Sequence, residues 1–357
     1  MSQAARVLVI GGGGVGTIAS YNLEKGGLAK VTMVLRSNYA VVKERGFWIE
    51  SCDHGLIKAW RPSGGILDHV PKFDESENRY DYIVCCTKNT PDISPSLLQV
   101  VQPAIQPGFS AVLLLQNGLN IEKPFEQEFP SNVILSGVSL CGAEETVPGN
   151  ILHNDSDRLL VGAFSNARIE EQKKIEAAQK FVDMYRASGN VVAEFDQDVI
   201  FTRWRKVVFN AVYNPICALT DLDTSRLRLS SVEAYGEEGN VVDSLIRPAM
   251  QEVCDAAKKA SGVELGTDII DLLVESDPIG AFIMPSMQQD LRKGRYIECE
   301  NILGEVLRVG EKAGVNLPII RTLYFLCKAV QFRIKEDRGV VNVEALLLKY
   351  KEKSSHL

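Results

Sequence analysis

The chain begins with a pattern that few folds can accommodate: a β-branched run, a glycine-rich loop and a helical segment. Residues 6–10 form a short run in which every residue after Arg6 is apolar, which is typical of a buried parallel strand. Gly11, Gly13 and Gly16 follow with GxGxxG spacing, which allows a tight turn, approach of a pyrophosphate and close helix packing. The pattern predicts a dinucleotide-binding loop, with a simple glycine-rich turn as the alternative. The loop residues are Gly11, Gly12, Gly13, Gly14, Val15 and Gly16.

The end of the second predicted strand bears on which dinucleotide is bound. Proteins that bind NAD usually have an acidic residue there, which bonds to the ribose 2′-hydroxyl. Here strand 30–35 is followed by Arg36 and Ser37, with no acid. A guanidinium can hold a 2′-phosphate by charge-assisted hydrogen bonds, so the sequence favours NADP(H). An ordinary exposed arginine is the alternative interpretation of Arg36.

Two further strand ends carry polar residues where doubly wound sheets bind their ligands. Strand 80–86 is followed by Lys88, and strand 111–115 is followed by Gln116, Asn117 and Gly118. Because ligands bind at the carboxyl ends of such strands, Lys88 and Asn117 are candidates for contact with cofactor or substrate. A loop lysine and a plain Asn-Gly turn are the alternatives.

Segment 159–162, together with the residues around His153, suggests antiparallel additions to the sheet.

The character of the chain changes close to residue 196. Strands and helices alternate before this point, whereas almost everything after it has helical periodicity. We therefore predict an α/β Rossmann-type domain over residues 1–196 and an all-α domain over residues 197–357. The helices predicted in the second domain cover 199–219, 231–261, 267–274, 290–313, 318–335 and 343–351.

A polar stripe is predicted in the first of these helices. Lys206, Asn210 and Asn214 recur every four residues, so one continuous helix would present them on one face. Such a face can bind an oxygen-rich ligand and deliver a proton to it. Pro215 is expected to end or kink the helix just after the last asparagine. A solvated helix face is the common alternative.

Composition excludes several classes of function. The net charge is -7 with both signs interspersed, which argues against a nucleic-acid binder. No apolar run approaches the roughly 20 residues of a membrane span, and no signal peptide is evident. The eight cysteines form no CxxC pair, so we expect free thiols, a cytoplasmic protein, and neither disulfides nor a zinc site. His153 is expected to be structural, because no serine or carboxylate partner is evident.

Two polar groups stand out later in the chain. Ser286 looks like the N-cap of a helix, with Gln289 as its capping-box partner. Glu298 and Glu300 lie in a predicted helix and cannot share a face, so at most one of them points into a cleft.

Four motifs, taken in order, resemble those of the ketopantoate reductase (2-dehydropantoate 2-reductase) family. They are the glycine loop, the Gln116-Asn117-Gly118 segment, the segment from Trp204 through Lys206 to Pro215, and Ser286-Met287 with Asp290 and Glu298. The resemblance covers nearly the whole chain. It implies a Rossmann-type domain followed by a helical domain similar to that of 6-phosphogluconate dehydrogenase. It also implies NADPH-dependent reduction of 2-dehydropantoate to pantoate, in pantothenate synthesis.

The resemblance also assigns roles to single residues. Lys206 matches the general acid, and Glu298 matches a residue near that lysine and the cofactor. The residues that match substrate contacts are Asn117, Asn210, Asn214 and Ser286, and those that match cofactor positions are Arg36, Lys88, Asn117 and Ala143. Helical second domains of this kind often pair, which is compatible with a homodimer.

The sequence departs from the family pattern at Thr224. Bacterial members often carry a third substrate asparagine about here, and Thr224 takes its place as the candidate contact. A changed hydrogen-bond partner alters specificity strongly, so the sequence indicates the reaction type better than the substrate. A reductase of another small carbonyl compound and a non-catalytic NADP(H)-binding protein remain alternatives.

Overall fold

The computed structural model describes residues 3–74, 79–233 and 239–354. The chain divides into two compact units, Met1–Arg203 and Trp204–Leu357. The predicted domain boundary at residue 196 lies shortly before this division, which falls within the helix Val199–Asn210. Within the described residues, no helix is both long enough and apolar enough to cross a membrane.

The first unit is built on two sheets. Its strands are β1 Ala5–Ile10, β2 Ala29–Val34, β3 Phe47–Ser51, β4 Gly55–Trp60, β5 Ile66–Leu67, β6 Tyr82–Cys85, β7 Ala111–Leu114, β8 Ile134–Ser139, β9 Gly142–Val147, β10 Asn150–Asp155, β11 Arg158–Ala163 and β12 Val192–Phe195. The main sheet has the order β12-β11-β8-β7-β6-β1-β2-β5. Its pairs are parallel except that β11 runs antiparallel to β8, which confirms the predicted addition at 159–162. The predicted α/β Rossmann-type class is confirmed.

Helices cover both faces of the main sheet. The helices of this unit are α1 Gly14–Lys25, α2 Tyr39–Arg45, α3 Leu97–Val101, α4 Lys123–Glu128 and α5 Glu171–Arg186. Side chains alternate along β1, so Val7 and Val9 pack in one core with α1 and α5. Leu8 and Ile10 pack in a second core, with α3 and α4. Burial on both faces explains why β1 is apolar throughout instead of alternating.

His153 does not join the main sheet, so the predicted addition to that sheet around His153 is wrong. It lies on β10, in a second sheet of order β4-β3-β10-β9. The expectation that it lacks a serine or carboxylate partner is also wrong. Ser51 Oγ lies 2.8 Å from Nδ1, and Asp53 Oδ2 lies 3.6 Å from Nε2. Sequence inspection missed these partners because they are about 100 residues away along the chain and become neighbours only when β3 pairs with β10.

The second unit is helical, as predicted. Following α6 Val199–Asn210, which spans the division, its helices are α7 Tyr213–Thr220, α8 Thr224–Glu233, α9 Arg247–Ser261, α10 Ile269–Val274, α11 Ser286–Arg292, α12 Glu305–Lys312, α13 Pro318–Asp337 and α14 Val343–Ser354. The predicted helices at 318–335 and 343–351 are confirmed. The helix predicted at 231–261 is interrupted, since a π-helical turn at Val242–Ile246 precedes α9 and residues 234–238 lie outside the described residues.

The helix predicted at 290–313 is wrong. Helix α11 ends at Arg292, and Gly294 follows with a φ of 59°, a left-handed conformation that stops a helix. The chain is then non-helical through Glu298, and a π-helical turn at Glu300–Gly304 leads into α12. Glu298 therefore lies just before a helix and not within one.

All eight cysteines have free thiols, as predicted. Most of them lie in apolar surroundings, and burial raises the pKa of Cys86 to about 12 and that of Cys254 to about 11. These thiols are therefore protonated at neutral pH, and they pack as small apolar groups.

Candidate active site

The glycine loop joins β1 to α1 with the geometry that a bound pyrophosphate requires. Gly11 has a φ of 111°, which favours glycine. A Cβ on Gly16 would lie 2.1 Å from the carbonyl oxygen of Gly11, so any larger residue would push α1 off the strand. A Cβ on Gly13 would meet nothing within 4 Å, and no side chain caps the start of α1 at this residue. The loop thus offers open space beside the N–H groups of a helix start, which fits a dinucleotide phosphate.

Two neighbouring segments hold this loop in place. Asn38 is buried, and its Nδ2 donates hydrogen bonds to the carbonyl oxygen of Gly12 at 2.8 Å and to Glu145 Oε1 at 2.7 Å. On β9, the carbonyl oxygen of Ala143 would lie 2.2 Å from a Cβ on Gly14. Ala143 is therefore beside the loop, in keeping with its predicted position near the cofactor. Asn38 was missed by the sequence analysis, because nothing in its local sequence shows that it would be buried.

The loops after β2 and β6 flank the glycine loop. Since β1 lies between β6 and β2 in the sheet, their carboxyl ends are adjacent. Arg36 and Lys88 lie on these two loops, and both are exposed to solvent. The exposed guanidinium of Arg36 fits a 2′-phosphate. The cofactor role of both residues stays a prediction.

The Asn117 turn is fixed by a residue that the sequence analysis missed, Arg203. Its side chain is buried, with 4% of its surface exposed. Nε donates to Ser136 Oγ at 2.8 Å. The two terminal nitrogens donate to the carbonyl oxygens of Gln116 at 3.1 Å, Gly118 at 2.8 Å and Leu114 at 3.3 Å. Arg203 therefore bonds to the peptide groups on both sides of Asn117.

A buried guanidinium is an unusual choice for this position. Burial lowers the pKa of Arg203 to about 10, while the negative charges of Glu122 and Asp196 oppose the shift. The group is still protonated at neutral pH, and carbonyl dipoles at the end of β7 stabilise its charge. The only hint in the sequence was the position of Arg203, three residues before Lys206. Arginine in a helix is normally exposed, so no local pattern predicts that Arg203 is buried.

The polar stripe is split between two helices, so the prediction of one continuous helix is wrong. Helix α6 ends at Asn210, and α7 begins at Tyr213, before Asn214. Pro215 explains the break, because it has no N–H to donate to the carbonyl of Ala211 and its ring would clash there. It sits instead in the first turn of α7, where a missing N–H is tolerated.

The two asparagines of the stripe are buried, in contrast to a solvated helix face. Asn210 is 8% exposed and Asn214 is 2% exposed, while Lys206 is half-buried. Asn214 Oδ1 lies 3.5 Å from Ser286 Oγ and accepts a hydrogen bond from Met287 N at 3.3 Å. Helices α7 and α11 therefore bring two of the predicted substrate residues together.

Ser286 is not an N-cap, which corrects the capping-box prediction. The N-cap is Pro285, and Ser286 is the first residue of α11 without a capping bond. Gln289 Nε2 donates to the carbonyl oxygen of Met284 at 2.8 Å. The Ser286 hydroxyl is consequently directed to Asn214 and not to its own helix.

The remaining predicted site residues are both buried. Glu298 lies in the non-helical stretch before the π-helical turn. Thr224 is 1% exposed, and its N and Oγ1 both donate to the carbonyl oxygen of Ile283, at 3.1 and 3.4 Å. The role of Glu298 near Lys206 and the cofactor and the contact of Thr224 with substrate stay predictions.

Models of one known protein family match both units of the chain. The family model described as ketopantoate reductase PanE/ApbA matches residues 7–166, and that of its C-terminal part matches residues 198–331. An uncharacterized protein of Saccharomyces cerevisiae is 34% identical over 368 residues, which cover 99% of each chain. The crystal structure of 2-dehydropantoate 2-reductase from Methylococcus capsulatus is 27% identical with a TM-score of 0.74, over 92% of this chain and 97% of that one.

A further solved structure shares the fold. It is the ternary structure of D-mandelate dehydrogenase with NADH and anilino(oxo)acetate, which is 24% identical with a TM-score of 0.75. The match covers 92% of this chain and 99% of that chain.

Replacement of Arg203 by methionine should destabilise the protein. The change leaves the carbonyl oxygens of Leu114, Gln116 and Gly118 without their buried donor, and each such loss costs about 1–3 kcal/mol. We expect the free energy of unfolding, measured by urea denaturation, to fall by about 3 kcal/mol or more. Arg205→Met is the matched control, because Arg205 is exposed on the same helix. Equal denaturation midpoints for the two variants would contradict the anchoring role of Arg203.

Proposed function

The chain belongs to the ketopantoate reductase family, and on this basis we propose that it reduces a 2-oxo acid to a 2-hydroxy acid with NADPH. The leading candidate substrate within the family is 2-dehydropantoate, whose reduction gives pantoate for pantothenate synthesis. The observation that carries the proposal is the burial of Asn210 and Asn214, in the segment that also contains Lys206, with Ser286 Oγ 3.5 Å from Asn214 Oδ1.

The proposed cofactor contacts lie in the first unit. The glycine loop with its open space over Gly13 supports phosphate binding, and Ala143 lies beside Gly14 of this loop. Asn117 follows β7, which is two strands away from β1 in the main sheet. The exposed guanidinium of Arg36 and the absence of an acidic residue at the end of β2 support a preference for NADPH over NADH. When bound, the cofactor supplies the hydride for C2 of the substrate.

The proposed roles of the remaining residues follow from the charge that develops on the substrate. As the C2 carbonyl is reduced, its oxygen gains negative charge and must take up a proton. Lys206, as an ammonium group, stabilises that charge and donates the proton, so that a hydroxyl results. Asn210, Asn214 and Ser286 hydrogen-bond the substrate oxygens. Glu298 is proposed to hold Lys206 in place.

Two alternatives are separated by measurable outcomes. A non-catalytic NADP(H)-binding protein would bind the cofactor without oxidising it in the presence of any 2-oxo acid. The retained Lys206 favours the enzyme, because a binding module needs no proton donor. A reductase of another 2-oxo acid is favoured by one observation, the internal hydrogen bonds of Thr224 to Ile283.

We expect Lys206→Ala to lower kcat by about 10²–10⁴-fold, the usual contribution of a general acid. The Kd for NADPH, measured by fluorescence titration, should stay within about twofold, because Lys206 acts on the substrate oxygen. Lys259→Ala, which removes an exposed lysine of α9, serves as the control. Unchanged turnover in Lys206→Ala would remove this residue from the mechanism.

Arg36→Ala should weaken NADPH binding selectively. Loss of a charge-assisted contact with the 2′-phosphate predicts an increase of about tenfold or more in KM for NADPH, with KM for NADH nearly constant. Arg45→Ala is a suitable comparison, since Arg45 is an exposed arginine of the adjacent helix α2. An equal effect on both cofactors would refute the 2′-phosphate role.

We also propose that the protein is cytoplasmic, because its free thiols suit a reducing compartment.

We propose further that the protein forms a homodimer. Exposed apolar residues on α13 and α14, including Phe325, Leu326 and Leu347, support self-association of the second unit. Sedimentation velocity should give twice the chain mass of 39.4 kDa, and Leu347→Glu should shift the protein towards monomer. A monomer at micromolar concentration in the wild type would contradict the dimer.

A further inference from the structure

A thiol, a carboxyl group and an imidazole meet at one end of the second sheet. Cys52 and Asp53 follow β3, and His153 lies on the neighbouring strand β10. His153 Nε2 lies 3.6 Å from Asp53 Oδ2, and Cys52 Sγ lies 3.7 Å from Asp53 Oδ1. One ligand atom from each residue can be chosen so that all three lie within 4.8 Å of one another. We call these three residues the Cys52 cluster.

His153 directs a nitrogen without a hydrogen bond into the Cys52 cluster. Its side chain is fully buried, and Nε2 has no hydrogen-bond partner within the residues that the structure describes. A buried ring nitrogen of this kind is unfavourable, because its bonds to water have not been replaced. Ser51 Oγ lies 2.8 Å from Nδ1 and holds the ring with Nε2 towards Asp53. Nε2 is therefore available as a ligand.

The Asp53 carboxylate is positioned by the chain around it. Its Oδ2 accepts a hydrogen bond from Asp157 N at 2.9 Å, and the Asp53 carbonyl oxygen accepts one from Asn190 Nδ2 at 2.7 Å. Asp157 is itself 2% exposed, and its Oδ1 has no hydrogen-bond partner in the described part of the chain. Two carboxyl groups thus lie close together with little water around them, and a cation stabilises such an arrangement.

The ligand types of the Cys52 cluster are those that bind zinc. Zn²⁺ takes thiolate, imidazole and carboxylate ligands in a tetrahedron, with bonds of about 2.0–2.3 Å that place the ligand atoms about 3.3–3.6 Å apart. Separations of 3.6 and 3.7 Å therefore need only a slight closure. Mg²⁺ and Ca²⁺ prefer oxygen ligands, so a sulfur and a nitrogen select against them. Because Cys52 is exposed, water can take the fourth position.

We propose that Cys52, Asp53 and His153 bind one Zn²⁺ ion, with water as the fourth ligand. Cys52 binds as a thiolate and releases its proton to solvent, while Nδ1 of His153 keeps its proton and donates it to Ser51 Oγ. The site is separate from the proposed reductase chemistry. It differs from the expectation of no zinc site, which rested on the absence of a CxxC pair. The ligands come instead from segments about 100 residues apart.

The proposed ion would join segments that support the glycine loop. His153 pairs with Ala143 across β10 and β9, and the Ala143 carbonyl is the group beside Gly14. Asn22 of α1 donates a hydrogen bond to Asp157 Oδ2 at 2.9 Å, which links this helix to the same region. Since the three ligands come together only in the folded chain, zinc should stabilise the first unit.

Cobalt(II), a spectroscopic substitute for zinc, tests the ligand set. After dialysis of the full chain against EDTA, Co²⁺ should give a sulfur-to-cobalt charge-transfer band that saturates at one equivalent. Zn²⁺ should displace the cobalt with a Kd of about 1 μM or below, whereas an excess of Mg²⁺ should not. No saturable band in the wild type would overturn the proposal.

Cys52→Ser should abolish this band and weaken Zn²⁺ binding by about 100-fold or more, because it removes the sulfur ligand. Cys254→Ser removes a half-buried thiol of α9, in the second unit, and serves as the control. It should bind both metals as the wild type does. A band of unchanged intensity in Cys52→Ser would place the metal on another thiol and overturn the assignment.

Thermal unfolding gives a second readout that does not depend on colour. Zn²⁺ should raise the unfolding midpoint of the wild type, followed by circular dichroism, by several degrees. Because Cys52 is exposed, Cys52→Ser should unfold at the wild-type temperature without metal and show no zinc-induced rise. Cys254→Ser should keep that rise. An equal rise in the wild type and in Cys52→Ser would contradict a site at Cys52.

Discussion

The first unit depends on the contact between α1 and β1 at Gly16. A single Cβ here would meet the carbonyl oxygen of Gly11 at 2.1 Å, so α1 can lie on the strand only because residue 16 has no side chain. The same approach packs Ile18 and Leu23 of α1 in the core with Val7 and Val9. It also sets the start of α1 beside the open space at Gly13. One steric requirement thus serves both the packing of the sheet and the proposed phosphate site.

The second constraint is the placement of polar groups where water is scarce. Burial of an amide or a guanidinium is unfavourable unless hydrogen bonds replace those to water. Arg203 donates hydrogen bonds to carbonyl oxygens at and after the end of β7, and Asn214 Oδ1 accepts one from Met287 N in α11. Pro215 shapes the surroundings of Asn214, because the break it imposes ends α6 at Asn210 and lets α7 start at Tyr213. The residues that carry the proposed chemistry are therefore held by backbone geometry as well as by side-chain contacts.

Family membership and substrate identity rest on different parts of the chain. The glycine loop, the Asn117 turn and the Lys206 segment follow the family pattern, and they are the residues proposed for hydride and proton transfer. Thr224 is where the pattern changes, and the contact predicted for Thr224 is with the part of the substrate away from C2. Thr224 Oγ1 donates a hydrogen bond to the carbonyl oxygen of Ile283, and Ser225 Oγ accepts one from Phe282 N, so the changed residue is bonded to the chain that leads into α11. Such a division lets one reductase scaffold accept different acids with unchanged chemistry at C2.

Sequence alone determined the features that depend on local pattern. Apolar runs identified β1 and its neighbours, glycine spacing identified the loop, and helical periodicity identified the second unit, because each reflects the preferences of adjacent residues. Tertiary structure decided the rest. Arg203 and the carbonyls that bind it are more than 80 residues apart, as are His153 and Ser51. The ends of α6 and α11 also differed from the periodicity, because Pro215 and Gly294 each outweigh an apolar pattern that continues past them. Burial, strain and distant hydrogen bonds arise only when separate segments meet, so no local pattern encodes them.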